Sequence, residues 1–223
     1  MAKWSDERRE DPNPCREQDN GLFETTARDG RARLGRLHTA HGIVETPCLL
    51  PVINPNIRTI EPREMWDKYG IQAVITNSYV IWKHDFLRDK AQKDGVHALL
   101  DFPGTVMTDS GTFQSYIYGD VEVGVEEIVE FQASIGVDIA TMLDIFTRPD
   151  MSFEEVSEAV DETISRGVTS LECAKGMMLN GPIQGGLFTE LRQRSAKEMS
   201  NLDFAVHPIG GIVPIMEQQS YVE

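Results

Sequence analysis

The sequence has no long apolar run and few cysteines. No stretch approaches the roughly 18 consecutive apolar residues of a membrane-spanning helix, and the first residues contain no apolar signal core. Its three cysteines, Cys15, Cys48 and Cys173, are widely separated and odd in number. This usage is typical of reduced thiols and excludes a disulfide framework or a CxxC zinc site. We therefore predict a cytoplasmic protein without a membrane segment.

Basic residues are also scarce. The 223-residue chain holds 21 Lys and Arg against 36 Asp and Glu, a formal charge of −15. Such a balance normally disfavours nucleic acid, whose phosphates require cationic side chains. The carboxylates are dispersed along the predicted helices, however, and form no acidic tail. A dispersed acidic surface keeps a protein soluble in concentrated salt, so we predict a halophile-like, salt-adapted protein. The alternative is an ordinary acidic enzyme.

The order of apolar segments predicts an α/β fold. Residues 1–20 are charged and aperiodic, which predicts a disordered extension before a domain at 21–223. Alternating apolar residues from Leu22 to Pro47 predict antiparallel hairpin strands. Short apolar strands then alternate with amphipathic helices. The predicted strands cover 48–53, 73–78, 105–109, 139–144, 182–186 and 204–211. The predicted helices cover 61–69, 83–93, 125–135, 152–174 and 188–200.

Repeated strand-helix units leave two architectures open, a doubly wound sheet and a (β/α)₈ barrel. Polar residues or glycines follow five of the predicted strands, and no GxGxxG follows the first. Because a barrel gathers all its strand ends around one mouth, this distribution favours the TIM-barrel type. With about six of the eight strands present, we expect an incomplete barrel whose two unpaired edges make the isolated chain poorly stable.

One candidate site follows the third of these strands. Asp109 ends it, and a tight turn then leads to Phe113. A carboxylate in this position can accept a proton or attack an electrophilic carbon, and the aromatic ring offers a face on which a base or sugar could stack. The alternative is a structural role, with Asp109 as a helix N-cap and Phe113 in the core.

Other candidates follow later strands. A fixed carboxylate at Asp144 matches a planar ligand edge with two N–H donors, as in guanine; the alternative is an aspartate bonded to loop amides. Gln184 can offer both a donor and an acceptor. The glycine pairs 185–186 and 210–211 allow a backbone to approach a flat ligand closely, although tight packing would also explain them. The five histidines show no spacing of a triad or metal site, so we expect ordinary roles for them.

Six segments, in their order along the chain, resemble the tRNA-guanine transglycosylases, and most closely the archaeal branch. They are ETPCLLPVINPNIR, ITNSYVIWK, MTDSGTFQSYIYGDVEV, TMLDIFTRPDM, IQGGLF and IGGIVPIME. The resemblance implies a barrel enzyme that removes guanine from tRNA and inserts a 7-deazaguanine. In the archaeal branch, 7-cyano-7-deazaguanine enters at position 15 on the route to archaeosine. The implied partners are therefore tRNA, guanine and this modified base.

The resemblance also implies roles for individual residues. The matching positions are Asp109 as a catalytic aspartate, favoured here as the proton handler, Phe113 as the stacking aromatic, Asp144 as the carboxylate that binds guanine, and Gln184, Gly210 and Gly211 as further base contacts. The family's second catalytic aspartate, its Cys/Cys/Cys/His zinc site and its C-terminal tRNA-binding domains match nothing in this chain. Zinc is thus a cofactor of the family whose ligands are not expected here.

These missing parts predict a partial sequence, a truncated gene or one piece of a split enzyme, and a chain that is inactive alone. The expected protein partners are a complementing chain or, because the family often dimerises, a second copy in a homodimer. Two other functions stay open. One is a non-catalytic subunit that binds tRNA or the base. The other is an unrelated barrel hydrolase that uses Asp109 and Asp144.

Overall fold

The computed structural model describes residues 8–112, 123–174 and 176–212. The chain divides into two compact units. The first unit comprises Met1–Thr108 with Ser134–Ile139, and the second comprises Asp109–Ala133 with Ala140–Glu223. Helices and strands occur in both, which confirms the predicted α/β class.

An antiparallel sheet occupies the start of the first unit. Its strands are β1 (Phe23–Asp29), β2 (Ala32–Thr39) and β3 (Gly42–Thr46), hydrogen-bonded in that order. The register pairs Phe23 with Leu37 and Leu37 with Val44. The alternating pattern therefore predicted these hairpins correctly.

A parallel sheet follows the hairpins, with the strand order β4-β5-β6-β7-β8. Its strands are β4 (Val52–Ile53), β5 (Ala73–Asn77), β6 (Thr105–Asp109), β7 (Ile139–Thr141) and β8 (Met178–Asn180). The helices of the first unit are α1 (Pro62–Asp67), α2 (Ser78–Lys83), α3 (Asp85–Asp94) and α4 (Val96–Leu100). The predicted helix at 83–93 is therefore divided between α2 and α3, and α4 is an additional element.

Residues 9–11, which precede β1, contact helix α1 of the same unit, although the sequence predicts disorder there. The Arg9 guanidinium lies 4.0 Å from the centre of the Trp66 ring. The Trp66 indole N–H donates to the Glu10 carbonyl oxygen at 3.2 Å. Arg63 forms ion pairs with Asp11 at 2.7 Å and with Asp67 at 3.1 Å. The segment has no apolar core of its own. It is held by the cation–π contact of Arg9 and by Arg63, which pairs with aspartates of both the segment and α1.

Three further described helices belong largely to the second unit: α5 (Val125–Ser134), α6 (Phe153–Cys173) and α7 (Thr189–Met199). Helix α6 begins at a capping box, as the sequence predicts. The Ser152 hydroxyl accepts from the Glu155 N–H at 3.2 Å, and the Glu155 carboxylate accepts from the Ser152 N–H at 2.7 Å. The two bonds satisfy N–H groups that the first helical turn leaves unpaired.

The last two predicted strands differ from the observed ones. The strand expected at 182–186 lies earlier, as β8, and only isolated parallel bridges join Ile183 to Ile209 and Asn180 to Val206. Pro182 has no N–H to donate. Later in the same segment, Gly185 and Gly186 have φ values of +146° and +54°. Neither feature is compatible with a regular ladder. The predicted strand at 139–144 is also shorter, so Asp144 lies three residues beyond β7.

No helix in the described ranges combines the length and the apolar character that crossing a membrane would require.

Candidate active site

Asp144 is the buried acid of the second unit. Its exposed fraction is 6%, and the Gln184 side-chain NH₂ donates to its Oδ2 at 2.5 Å. Burial raises the pKa of the Asp144 carboxyl above its ordinary value. Hydrogen bonding from Gln184 and Thr112 and the charge of Arg166 offset only part of that effect. A ligand that supplies N–H donors would therefore favour the ionised carboxylate.

Gln184 is fixed at both its side chain and its backbone. Its exposed fraction is 1%. The Oε1 atom accepts from the Thr147 hydroxyl at 2.9 Å, and the backbone N–H donates to the Ser195 hydroxyl at 3.2 Å. Helix α7 supplies Ser195, so the position of Gln184 depends on the packing of that helix.

Arg192, also on α7, connects the two glycine turns. Its Nε donates to the Gly186 carbonyl oxygen at 2.7 Å, and both terminal nitrogens donate to the Gly210 carbonyl oxygen at 3.2 Å. A Cβ atom at Gly210 would overlap the Gln184 side-chain amide. Close packing, the alternative explanation for the glycine pairs, therefore operates at Gly210.

Asp109 ends β6, as the sequence predicts. The Gly111 N–H donates to its Oδ1 at 3.4 Å, which closes the turn after the strand. The hydroxyls of Ser110 and Thr112 lie 3.2 Å apart, and the Thr112 hydroxyl donates to the Asp144 backbone oxygen at 3.2 Å. The turn that carries Asp109 is thus bonded directly to the residue that supplies the buried acid.

The structure brings four of the sequence-predicted residues into direct contact: Asp144, Gln184, Gly210 and Gly211. Asp109 joins them through its turn, whereas Phe113 lies outside the described residues. Sequence reasoning missed the supporting polar residues, which are Thr112, Thr147, Arg192 and Ser195. The sequence does contain a signal for Arg192 and Ser195: their i, i+3 spacing places both side chains on one face of α7.

A second buried aspartate, Asp138, lies in the first unit with two histidines. Its oxygens accept from His41 Nδ1 at 2.8 Å and from His97 Nε2 at 2.9 Å, and the Val106 N–H donates to Oδ2 at 2.8 Å. Burial opposes ionisation, but the hydrogen bonds from the histidines outweigh it and lower the pKa of Asp138. Spacing along the chain does not reveal this cluster, because its three members are far apart in the sequence.

Zinc, the cofactor implied by the resemblance, does not fit this cluster. Among the described residues, His41, His97 and Asp138 are the one group of three or more potential ligands close enough to share an ion. The two imidazole rings are stacked, with centres 3.5 Å apart and planes at 20°. An imidazole binds zinc through an in-plane nitrogen at about 2.0–2.1 Å, so two stacked rings cannot both do so for one ion. The cluster also contains no cysteine.

The fold and the Asp144 site together define an α/β protein with a carboxylate and an amide buried beyond the ends of parallel strands, where such sheets bind their ligands. A family model described as Queuine tRNA-ribosyltransferase matches residues 29–223. The chain belongs to this family of transferases, the tRNA-guanine transglycosylases, which confirms the resemblance seen in the sequence.

Individual archaeal relatives agree. The chain is 52% identical over 199 residues to a tRNA-guanine(15) transglycosylase of Thermoplasma volcanium, covering 89% of this chain and 31% of the relative. It is 45% identical over 205 residues to that of Methanosarcina acetivorans, covering 92% and 42%. It is 46% identical over 204 residues to the tRNA-guanine(15) transglycosylase of Methanopyrus kandleri, and the match covers 92% of this chain and 44% of the relative. The chain therefore spans less than half the length of these relatives.

Proposed function

We propose that this chain forms the base-binding part of a tRNA-guanine transglycosylase. The reaction replaces guanine at position 15 of tRNA by 7-cyano-7-deazaguanine, as a step toward archaeosine. The observation that carries the proposal is the bond between the Gln184 amide and the buried Asp144 carboxylate, in a chain whose relatives are named tRNA-guanine(15) transglycosylases. Because tRNA is the substrate, the cytoplasm is the expected location.

The buried pair complements the edge of guanine. Guanine presents a carbonyl oxygen, O6, beside the N1–H and 2-amino donors. The two oxygens of Asp144 accept from N1–H and the 2-amino group, which favours the ionised carboxylate despite its burial. The Gln184 NH₂ carries two hydrogens, of which one is donated to Asp144; the second is available to O6.

Base exchange requires the target nucleotide to leave its stack and enter the pocket. The chemistry resembles that of a retaining glycosidase. A carboxylate attacks C1′ as the bond to guanine breaks, and the incoming base later displaces that carboxylate. We assign proton handling to Asp109, which gives a proton to the departing base and takes one from the incoming base. Phe113, outside the described residues, keeps its proposed stacking role.

The nucleophilic carboxylate of the family matches none of the 223 residues of this chain. A complementing chain would supply it together with contacts to tRNA, because a second copy of the same residues cannot; a homodimer is kept only as a proposed assembly. The alternative function is a subunit that binds the base without exchanging it. Measuring binding by the chain alone, and exchange in the presence of a complementing chain, distinguishes the two.

The test measures guanine binding to the 223-residue chain by calorimetry, and exchange of labelled guanine into tRNA. Asp144→Asn should weaken guanine binding by about a hundredfold or more, because it replaces an acceptor of two charge-assisted bonds by an amide. Asp203→Asn is the matched control, since Asp203 is an exposed aspartate of the same unit.

Unchanged guanine affinity in Asp144→Asn would contradict the proposal. Binding without exchange by the chain alone is expected of both functions; exchange that appears with a complementing chain would favour the transglycosylase, and its continued absence would favour the non-catalytic subunit.

A further inference from the structure

The hydroxyl of Thr147 has only one arrangement of its hydrogen that satisfies its neighbours. The oxygen receives the Gly186 N–H at 3.1 Å and lies 2.9 Å from Gln184 Oε1. A backbone N–H can only donate, so the hydroxyl oxygen accepts that bond. Its single hydrogen is then free to point toward Gln184 Oε1, which can only accept.

The opposite end of the Gln184 side chain fixes the same orientation. Its Nε2 lies 2.5 Å from Asp144 Oδ2. Reversing the amide would put Oε1 against that oxygen, and two acceptors would then face each other unless Asp144 held a proton. The orientation of the amide is therefore coupled to the charge of Asp144. Thr147 favours the orientation that suits the ionised form, because a reversed amide would take away Oε1, the acceptor of the hydroxyl hydrogen.

Solvent has almost no access to these side chains in the structure. The exposed fractions are 0% for Thr147 and 1% for Gln184. A Cβ placed on Gly211, whose φ is +67°, would lie 3.1 Å from Gln184 Oε1 and 3.2 Å from the Thr147 hydroxyl oxygen. With the amide enclosed in this way, direct protein contacts decide which of its ends faces Asp144.

We propose that Thr147 is a positioning residue that determines base specificity. By holding the Gln184 amide with its NH₂ beside the Asp144 carboxylate, it presents a donor next to acceptors. This pattern matches guanine, which has a carbonyl beside an N–H. It does not match 2,6-diaminopurine, which has the same shape but carries an amino group beside an unprotonated ring nitrogen. The inference rests on the proposed function, since it concerns the same pocket.

The experiment measures the dissociation constants of guanine and 2,6-diaminopurine for the 223-residue chain and its variants. Thr147→Val keeps the side-chain shape and removes the hydroxyl, so the preference for guanine should fall by about tenfold, the value of one hydrogen bond. Thr147→Ser should restore the preference. Thr189→Val is the control, because Thr189 is exposed at the start of α7.

The ratio of the two constants separates positioning from mere stabilisation. A purely structural role would weaken both purines equally and leave their ratio unchanged, which would overturn the inference. If Thr147→Val fails to fold, Thr147→Cys keeps the volume with a weaker donor and should lower the ratio in part; a folded cysteine variant with an unchanged ratio would also overturn it. Failure of the proposed function looks different, because wild-type protein would then bind neither purine, and both conclusions would fall.

Discussion

Two aspartates on either side of β7 are buried to almost the same extent, with exposed fractions of 5% for Asp138 and 6% for Asp144. Their neighbours differ. Asp138 accepts from two histidines and has a lowered pKa, whereas Asp144 accepts from a neutral amide and has a raised one. Burial alone therefore does not decide whether a carboxyl group is ionised. Its hydrogen-bond partners do, and they make one aspartate a fixed anion and the other an acceptor that responds to a ligand.

The largest expected effect comes from removing the fixed anion. Asp138→Ala leaves two imidazoles and the Val106 N–H without their shared acceptor, so we expect a loss of about 3 kcal/mol of unfolding free energy. Urea denaturation of the variant checks this. Asp89→Ala, at an exposed position of α3, serves as the control and should change little. A similarly small effect in Asp138→Ala would show that the histidine cluster is not structural.

The next effect tests the Asp144 side of the comparison. Gly210→Ala forces a methyl group into the space of the Gln184 amide, so we expect destabilisation of about 2 kcal/mol. Displacing Gln184 also removes a bond that favours the carboxylate, so the pKa of Asp144 should rise further. Denaturation, and NMR titration of the Asp144 carboxyl, would measure the two effects.

Gly124→Ala is the matched control for this substitution. A Cβ there meets no atom within 4 Å, so stability should be almost unchanged. Equal effects at the two glycines would contradict the packing argument.

The smallest effect is a difference in pH dependence. The folded state holds a proton on Asp144 more tightly than the unfolded state does, so stability should fall as pH rises from the ordinary carboxyl range through the raised pKa. Asp144→Asn should abolish this decline. In the wild type, the decline in unfolding free energy amounts to about 1.4 kcal/mol for each pH unit between the ordinary and the raised pKa. Unfolding free energies of wild type and variant across pH would reveal it.

The contribution of Asp138 to stability changes with pH in the opposite direction. Its lowered pKa gives stability that is present above the ordinary carboxyl pKa and is lost as pH falls through the folded value. If wild type and Asp144→Asn showed the same pH profile, the contrast between the two aspartates would not hold.

Local patterns predicted much of the fold. The hairpin sheet follows from alternation, β6 from a short apolar run before Asp109, and the start of α6 from Ser152 and Glu155. These signals act between near neighbours. The prediction of a strand at 182–186 was wrong. The apolar residues there suggested a strand, but Pro182 and the glycines cannot complete its backbone hydrogen-bond ladder.

By itself the sequence determined the α/β class, the family and the candidate residues of the site, because those are recorded in residue order and short motifs. Only the tertiary structure decided which buried aspartate faces histidines and which faces an amide. The partners of Asp138 lie 97 and 41 positions away, and that of Asp144 lies 40 away. A side chain's ionisation depends on groups within a few ångströms, and folding alone brings such distant residues that close.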